Sequence, residues 1–144
     1  MAIKGFLDEA IKEEREAIRI DPVMEEYHFN LAKLYENKGV INEAVSAYKE
    51  ALKLNHRFFE AHYHLGELYT RIENYGEAIS EYEKALKIKS NSGKTYFMLG
   101  VNFIKAGDKE RAIWNLQNAL QYASSEKDRK GIESILSKLR SIPR

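Results

Sequence analysis

The chain has 144 residues, with 23 Lys+Arg against 22 Asp+Glu and a formal net charge of +1. Nucleic-acid-binding proteins usually carry a strongly basic face, so this balance argues against that class. The absence of cysteine excludes disulfides, thiolate metal sites and cysteine nucleophiles. Only two prolines and eight glycines occur, no apolar run is long enough to span a membrane, and acidic residues interrupt the N-terminus where a signal peptide needs an apolar stretch. We therefore expect an all-helical, cytoplasmic protein.

The first predicted element is a helix within residues 5–22. Ala10, Glu14 and Ala17 are spaced four and three residues apart, so they share one helix face, and Pro22 follows the last turn. A carboxylate in the middle of this face indicates that this end of the molecule is partly open.

Three segments with a period of 34 residues follow, at 25–58, 59–92 and 93–126. Each predicts two helices, the first with a Leu–small–aromatic face and the second with an Ala–ring–Ala face. Six columns coincide: Leu31, Leu65 and Leu99; Ala32, Gly66 and Gly100; Tyr35, Tyr69 and Phe103; Ala44, Ala78 and Ala112; Tyr48, Tyr82 and Leu116; Ala51, Ala85 and Ala119. Small residues let helices approach closely, and one such pair cannot bury both of its faces, so the pairs must stack.

The last predicted element is a helix over residues 127–141. Ser125 and Asp128 form a capping-box pattern before it. Its apolar stripe is Ile132, Ile135, Leu136 and Leu139, with Lys and Arg on the other side. We expect this helix to cover the last repeat, as a solenoid needs for solubility. Between the paired helices, Gly39 and Gly107 are expected to have positive φ at helix C-termini.

Over residues 5–124 the chain resembles the tetratricopeptide repeat family, whose 34-residue pattern is W-x2-L-G-x2-Y…A-x3-F…P. His28, His62 and Tyr96 stand in the Trp column and His56, Ser90 and Ser124 in the Pro column. The resemblance implies an all-α, right-handed superhelix (solenoid) of stacked antiparallel helix pairs with about eight helices. Residues 1–144 then form one domain, with 5–22 as an N-terminal half-repeat and 127–141 as the cap.

In this family the first helix of each pair lines a concave groove, and the resemblance carries its columns to positions in all three repeats. An aromatic residue recurs at every step, and the third repeat is apolar throughout. The groove positions are Phe29, Asn30, Lys33 and Glu36; Tyr63, His64, Glu67 and Thr70; Phe97, Met98, Val101 and Ile104. A carboxylate clamp, as the family uses for chaperone tails, would fall on Phe29, Lys33, His64, Lys94 and Met98, where only Lys94 has the expected residue type.

These positions predict a non-catalytic scaffold or adaptor that binds a peptide or helix of a partner protein in the groove. The open alternative is that the rings pack on neighbouring first helices or lie under the cap. No HExxH, dinucleotide-binding or Ser-His-Asp pattern occurs, and His28, His62 and His64 do not share one helix face. We therefore expect no catalytic residues, cofactor or metal.

A second hypothesis is head-to-tail self-association through the N-terminal half-repeat. Residues 1–26 carry a net charge of −4 and residues 127–144 a net charge of +4, counted from the sequence. Contact between one copy's start and another's end would be heterologous and could form rings or filaments. The predicted capping helix argues against it. A third hypothesis is that the chain is a segment of a larger protein whose enzyme domain lies elsewhere.

Overall fold

The computed structural model describes residues 2–143 and forms eight α-helices over that range. Their bounds are α1 Ala2–Ile20, α2 Glu25–Lys38, α3 Ile41–Leu54, α4 Phe59–Arg71, α5 Tyr75–Ile88, α6 Gly93–Ala106, α7 Lys109–Gln121 and α8 Glu126–Ser141. Within residues 2–143, no helix is both long and apolar enough to cross a membrane.

Each helix packs on the next one along the chain. The contacts are densest within the pairs α2–α3, α4–α5 and α6–α7, and α4 also touches α6. Such a pattern, in which elements contact mainly their sequence neighbours, is that of a solenoid. The expected all-α stack of helix pairs is thus confirmed.

Small residues bring the two helices of a pair into close contact. A Cβ added to Gly66 would lie 2.8 Å from the ring of Tyr82, and one added to Gly100 would lie 2.6 Å from Leu116. Both distances are too short for carbon atoms. The column that holds a small residue on the first helix therefore receives the bulky residue of the second helix, as the 34-residue period predicts.

Tight turns join the first and second helices. Gly39 and Gly107 have φ values of +87° and +84°, as their positions before α3 and α7 predict. The middle repeat has no glycine in this column: Glu73 takes the same left-handed conformation, with φ of 61°. The period therefore determines the backbone of this turn even where the residue type is unfavourable.

Helix α8 covers the last repeat. Ile132, Leu136 and Leu139 are buried, and the helix packs mainly on α7. The hydroxyl of Ser125 accepts a hydrogen bond from the backbone N–H of Asp128 at 3.1 Å, so the predicted N-cap is confirmed.

Helix α1 is longer than the predicted element and begins at Ala2. Ile11 is buried against α2, whereas Ile3 and Phe6 are 78% and 73% exposed. Glu14 is half-buried, and one of its carboxylate oxygens, Oε2, is buried without a hydrogen-bond partner among residues 2–143. This end of the molecule thus exposes the apolar side chains of Ile3 and Phe6. Glu14 is less exposed than we expect for a carboxylate on an open helix face.

Candidate binding face

The predicted groove positions lie on α2, α4 and α6, and the surface that they form, together with Lys94 at the start of α6, is here called the first-helix face. Two side-chain hydrogen bonds, among other contacts, join neighbouring first helices across it. Arg71 on α4 forms an ion pair with Glu36 on α2, and the same Glu36 accepts a hydrogen bond from the hydroxyl of Tyr48. Thr70 on α4 donates to Oδ1 of Asn102 on α6 at 3.1 Å. The predicted positions Glu36 and Thr70 are therefore engaged in holding the face together.

At the α2 end, Phe29 lies in an aromatic cluster. Its ring centroid is 4.9 Å from that of Phe58, 5.6 Å from His64 and 5.9 Å from Tyr48. The ring remains half-buried, and the ammonium of Lys33 lies 5.7 Å from its centroid. The result is an apolar surface with a cation at its edge.

In the middle of the face, Tyr63 is only 9% exposed. The ammonium of Lys94 lies 4.3 Å from its ring centroid and 5.6 Å from that of Phe59, and Lys89 covers Phe59 at 4.7 Å. Burial, with the negative charge of Glu67, raises the pKa of Tyr63 to about 12. In the middle of the face, a ligand would therefore contact the side chain of Lys94 rather than the ring of Tyr63.

At the α6 end, the four predicted apolar positions are all half-buried: Phe97, Met98, Val101 and Ile104. Phe97 also lines a cavity of about 330 Å³ between α6, α7 and α8. Phe97, Met98 and Ile104 pack against the buried core and still reach the surface, so both sequence-based interpretations of these positions stay open.

The remaining predicted positions are polar. Asn30, Lys33 and Lys94 are exposed. His64 and Glu67 are partly exposed, and Nδ1 of His64 lies 3.1 Å from a carboxylate oxygen of Glu67. Their role in binding stays a prediction.

Several residues of this face were not predicted from the sequence. Phe58, Phe59, Arg71 and Lys89 lie at helix ends or in the loops between repeats, outside the columns that the family pattern carries over. Phe58 precedes α4, and Lys89 follows α5. The sequence signal that could have identified them is the presence of aromatic and cationic residues at the junctions between helices.

The histidines in the Trp column, His28 and His62, contact other groups of this chain. His62 is buried, with Nδ1 2.7 Å from Glu81 and Nε2 2.8 Å from the carbonyl oxygen of His56. Nε2 of His28 lies 3.3 Å from the carbonyl oxygen of Pro22. Within residues 2–143, no group of three or more His, Cys, Asp or Glu side chains is arranged to hold a metal ion.

Comparison with known proteins bears on the fold. Two family models match, one described as TPR repeat over residues 38–72 and one as tetratricopeptide repeat over residues 59–92. A search of curated protein sequences finds no match.

Solved structures match along most of the chain. MamA from Desulfovibrio magneticus RS-1, from residue 41 to its end, superposes with a TM-score of 0.79 at 21% identity, covering 96% of this chain and 86% of that one. The first TPR of Spaghetti (RPAP3), bound to the HSP90 peptide SRMEEVD, gives 0.73 at 16% identity, covering 82% and 94%. YrrB, described as a TPR protein with an unusual peptide-binding site, gives 0.73 at 25% identity, covering 89% and 70%.

These structural likenesses establish the fold. The match over residues 59–92 coincides with the second 34-residue segment, and the match over residues 38–72 spans the junction of the first and second segments. Residues 38–92 thus match models of the tetratricopeptide repeat, and the described chain has the fold of the solved tetratricopeptide repeat structures on which it superposes.

Proposed function

We propose that this protein is a non-catalytic interaction module that binds a peptide segment of a partner protein on the first-helix face. The observation that carries the proposal is the occurrence of half-buried aromatic rings and exposed lysines along the first helices. Phe29 and Phe97 contribute half-buried rings, Lys33 lies beside Phe29, and Lys94 lies over the buried ring of Tyr63 between them. Neither lysine has an ion-pair partner within residues 2–143, so both charges remain available to a ligand.

The chemistry of the face describes the segment that it accepts. Apolar side chains of the partner pack against the rings, and its carboxylates approach the lysines. RPAP3 and YrrB, which share the fold, are described with peptides, and this supports peptide binding as the mode. The carboxylate clamp is not carried over, because Phe29 and Met98 stand where that site requires polar groups.

Energetics limit the affinity. Burying two aromatic side chains contributes at most about 3–6 kcal/mol, whereas association costs about 4–15 kcal/mol. We therefore expect a dissociation constant in the micromolar range or weaker, unless charge pairs with the lysines add substantially.

Site-specific photo-crosslinking tests which face binds. Benzoylphenylalanine is placed at Asn30, an exposed position on the first-helix face, and in a second protein at Ser80, exposed on α5. After irradiation in lysate of the source cells, cross-linked proteins are identified by mass spectrometry. We expect adducts with a defined partner from position 30 and not from position 80.

A charge-matched pair of variants provides the control. Lys33→Glu with Lys94→Glu reverses the two lysines of the face, and Lys49→Glu with Lys130→Glu makes the same change in net charge at exposed positions elsewhere. The first pair is expected to abolish the position-30 adduct and the second to retain it. Equal adducts from both faces, or equal loss with both pairs, would contradict the proposal.

Self-association is the second candidate, and the exposed Ile3 and Phe6 on α1 favour it. The acidic start and basic end of the chain supply complementary charge. If copies associate head-to-tail, sedimentation velocity shows species larger than the monomer that grow with concentration and disappear in the Phe6→Asp variant. A monomer at all concentrations would exclude this candidate while leaving peptide binding intact.

A further inference from the structure

The cavity between α6, α7 and α8 has the character of a binding pocket. Its volume is about 330 Å³, and most of its lining is apolar. Phe97 and Lys94 form its side toward the first-helix face, and Ile132 and Ile135 of α8 its far wall. Because Phe97 and Lys94 belong to both surfaces, the cavity continues the first-helix face under the cap.

Gly131 lines this cavity without contributing a side chain to it. It lies inside α8, between Asp128 and Ile135 on the helix side that lines the cavity. A glycine within a helix costs about 0.5–1 kcal/mol relative to alanine. Close packing explains Gly66 and Gly100, but a Cβ at Gly131 meets nothing within 4 Å outside its own helix among residues 2–143. Packing therefore does not require the glycine, and the absence of a side chain leaves space there that a residue larger than alanine would occupy.

The size of the cavity fits one large side chain. An engineered apolar cavity of about 150 Å³ binds benzene, so a space about twice as large accommodates a phenyl or indole ring with part of its backbone. The other wall is fixed by Gly93, where an added Cβ would lie 2.7 Å from the carbonyl oxygen of Tyr122. The pocket is thus preformed on that side by backbone contact.

The polar groups at the rim indicate the charge of the ligand. Lys94 and Lys127 line the opening together with a single carboxylate, that of Asp128. Neither lysine has an ion-pair partner in the described part of the chain. An anionic group next to the apolar side chain is therefore favoured at this end.

We propose that this cavity is an anchor pocket for a phenylalanine or tryptophan side chain of the bound segment, next to a carboxylate held by Lys94 and Lys127. This inference rests on the proposed peptide binding and specifies its main contact. One buried ring in an enclosed pocket, with weaker contacts along the rest of the face, is the usual distribution of binding energy at an interface.

The test uses side-chain analogues as probes, so it does not depend on knowing the partner. N-acetylphenylalaninamide and N-acetyltryptophanamide are titrated into ¹⁵N-labelled protein. We expect saturable shifts of the Gly93 and Ile132 amides with millimolar dissociation constants. N-acetylphenylalanine, which carries a free carboxylate, is expected to bind about twofold to fivefold more tightly at low salt. Replacing Lys94 and Lys127 by alanine is expected to remove that preference.

Substitutions at Gly131 distinguish filling the pocket from general effects. Gly131→Leu places a side chain in the cavity and is expected to weaken probe binding at least tenfold. Gly131→Ala leaves most of the space and retains binding. Gly76→Leu is the matched control, because Gly76 is a helix residue with equally open surroundings on α5, away from the cavity. Circular dichroism verifies that all three variants remain folded.

Each outcome decides the proposal. Probes that fail to shift Gly93 and Ile132, or that bind Gly131→Leu as tightly as the unmodified chain, overturn the pocket, and the position-30 cross-link still tests peptide binding independently. If Gly131→Leu loses the probes but keeps full partner cross-linking, the anchor role is overturned. Loss of both, with Gly76→Leu unaffected, is the expected result.

Discussion

Glu81 illustrates how a buried charge is accommodated in this stack. Its carboxylate lies between α4 and α5, with one oxygen 2.7 Å from Nδ1 of His62 and the other 3.3 Å from the ammonium of Lys84. Burial alone would raise the pKa of Glu81, but the hydrogen bond with His62 and the charges of Lys84 and His62 outweigh it and lower the pKa below its ordinary value of 4.5. The ionised carboxylate therefore stabilises the fold.

Replacing this carboxylate with an amide should cost stability in a pH-dependent way. We expect Glu81→Gln to lower the free energy of unfolding at pH 7 by about 1–3 kcal/mol, since a buried charged hydrogen bond is weakened. Because the folded-state pKa is depressed, the contribution is complete above the ordinary value of 4.5 and is lost as the pH falls through the folded value. Urea unfolding at pH 7 and pH 3 should show the difference between the two proteins shrinking at pH 3.

Glu83→Gln, an exposed change on the same helix, serves as the control and is expected to shift stability by less than about 0.5 kcal/mol. A difference for Glu81→Gln that stays constant with pH would show that the ionised carboxylate is not the stabilising form.

Glu73 carries a backbone conformation that suits glycine. Its φ of 61° is left-handed, which costs an ordinary residue about 1–2 kcal/mol. Glycine avoids this cost but loses about 0.5–1 kcal/mol through the greater freedom of the unfolded chain. We expect Glu73→Gly to stabilise the protein by about 0.5–1 kcal/mol, measured by thermal and urea unfolding. Glu77→Gly, in the first turn of α5, should destabilise it instead, and the same sign for both changes would contradict the argument.

At the scale of the helix, the N-terminus of α8 depends on one hydroxyl. Ser125 satisfies the N–H of Asp128, and alanine at an N-cap typically costs about 1 kcal/mol. For a chain of this length that corresponds to a loss of about 2–4 °C in melting temperature. We expect this loss for Ser125→Ala and almost none for Ser124→Ala, the preceding exposed serine. Equal shifts would mean that the cap is not formed in solution.

The helices were predictable because each repeat presents the same residue types at the same spacing. Three copies of a Leu–small–aromatic face and three of an Ala–ring–Ala face specify pairs that must stack, and eight helices result over the described residues. Even the turn at Glu73, which lacks its glycine, follows the column. The local residue pattern and the packing of the whole stack favour the same structure, and such agreement makes a fold predictable from its sequence.

The candidate site was less predictable, since exposure depends on residues outside the shared columns. Phe29, Tyr63 and Phe97 are equivalent by period, yet Tyr63 is buried against Phe59, Tyr82 and Lys94, whereas the other two rings are half-buried. The column of Lys94 holds Glu26 and Glu60 in the other repeats, so the period did not predict a lysine over Tyr63. Likewise Glu81 shares its column with Ala47 and Asn115, so the period did not mark its contact with His62.

For the molecule as a whole, stability is transmitted from neighbour to neighbour. Over the described residues, helices contact mainly the next helix along the chain, and the first helices α4 and α6 also contact each other. In such a stack the energy is approximately a sum of repeat and interface terms, so damage is expected to spread along the axis and to weaken with distance. The middle repeat, buried between two others, is where a single change affects the most interfaces.

Leu65 on α4 allows this transmission to be measured. It is fully buried, and leucine to alanine in a core costs about 2–5 kcal/mol. In Leu65→Ala we expect amide hydrogen exchange to accelerate most in α4 and in the helices it contacts, α3, α5 and α6, and least in α1 and α8. Leu54→Ala, at an exposed position of α3, should leave the exchange pattern nearly unchanged. Uniform acceleration across all eight helices would show instead that residues 2–143 open as one cooperative unit, in which case the pocket under α8 could not be altered independently of the middle of the stack.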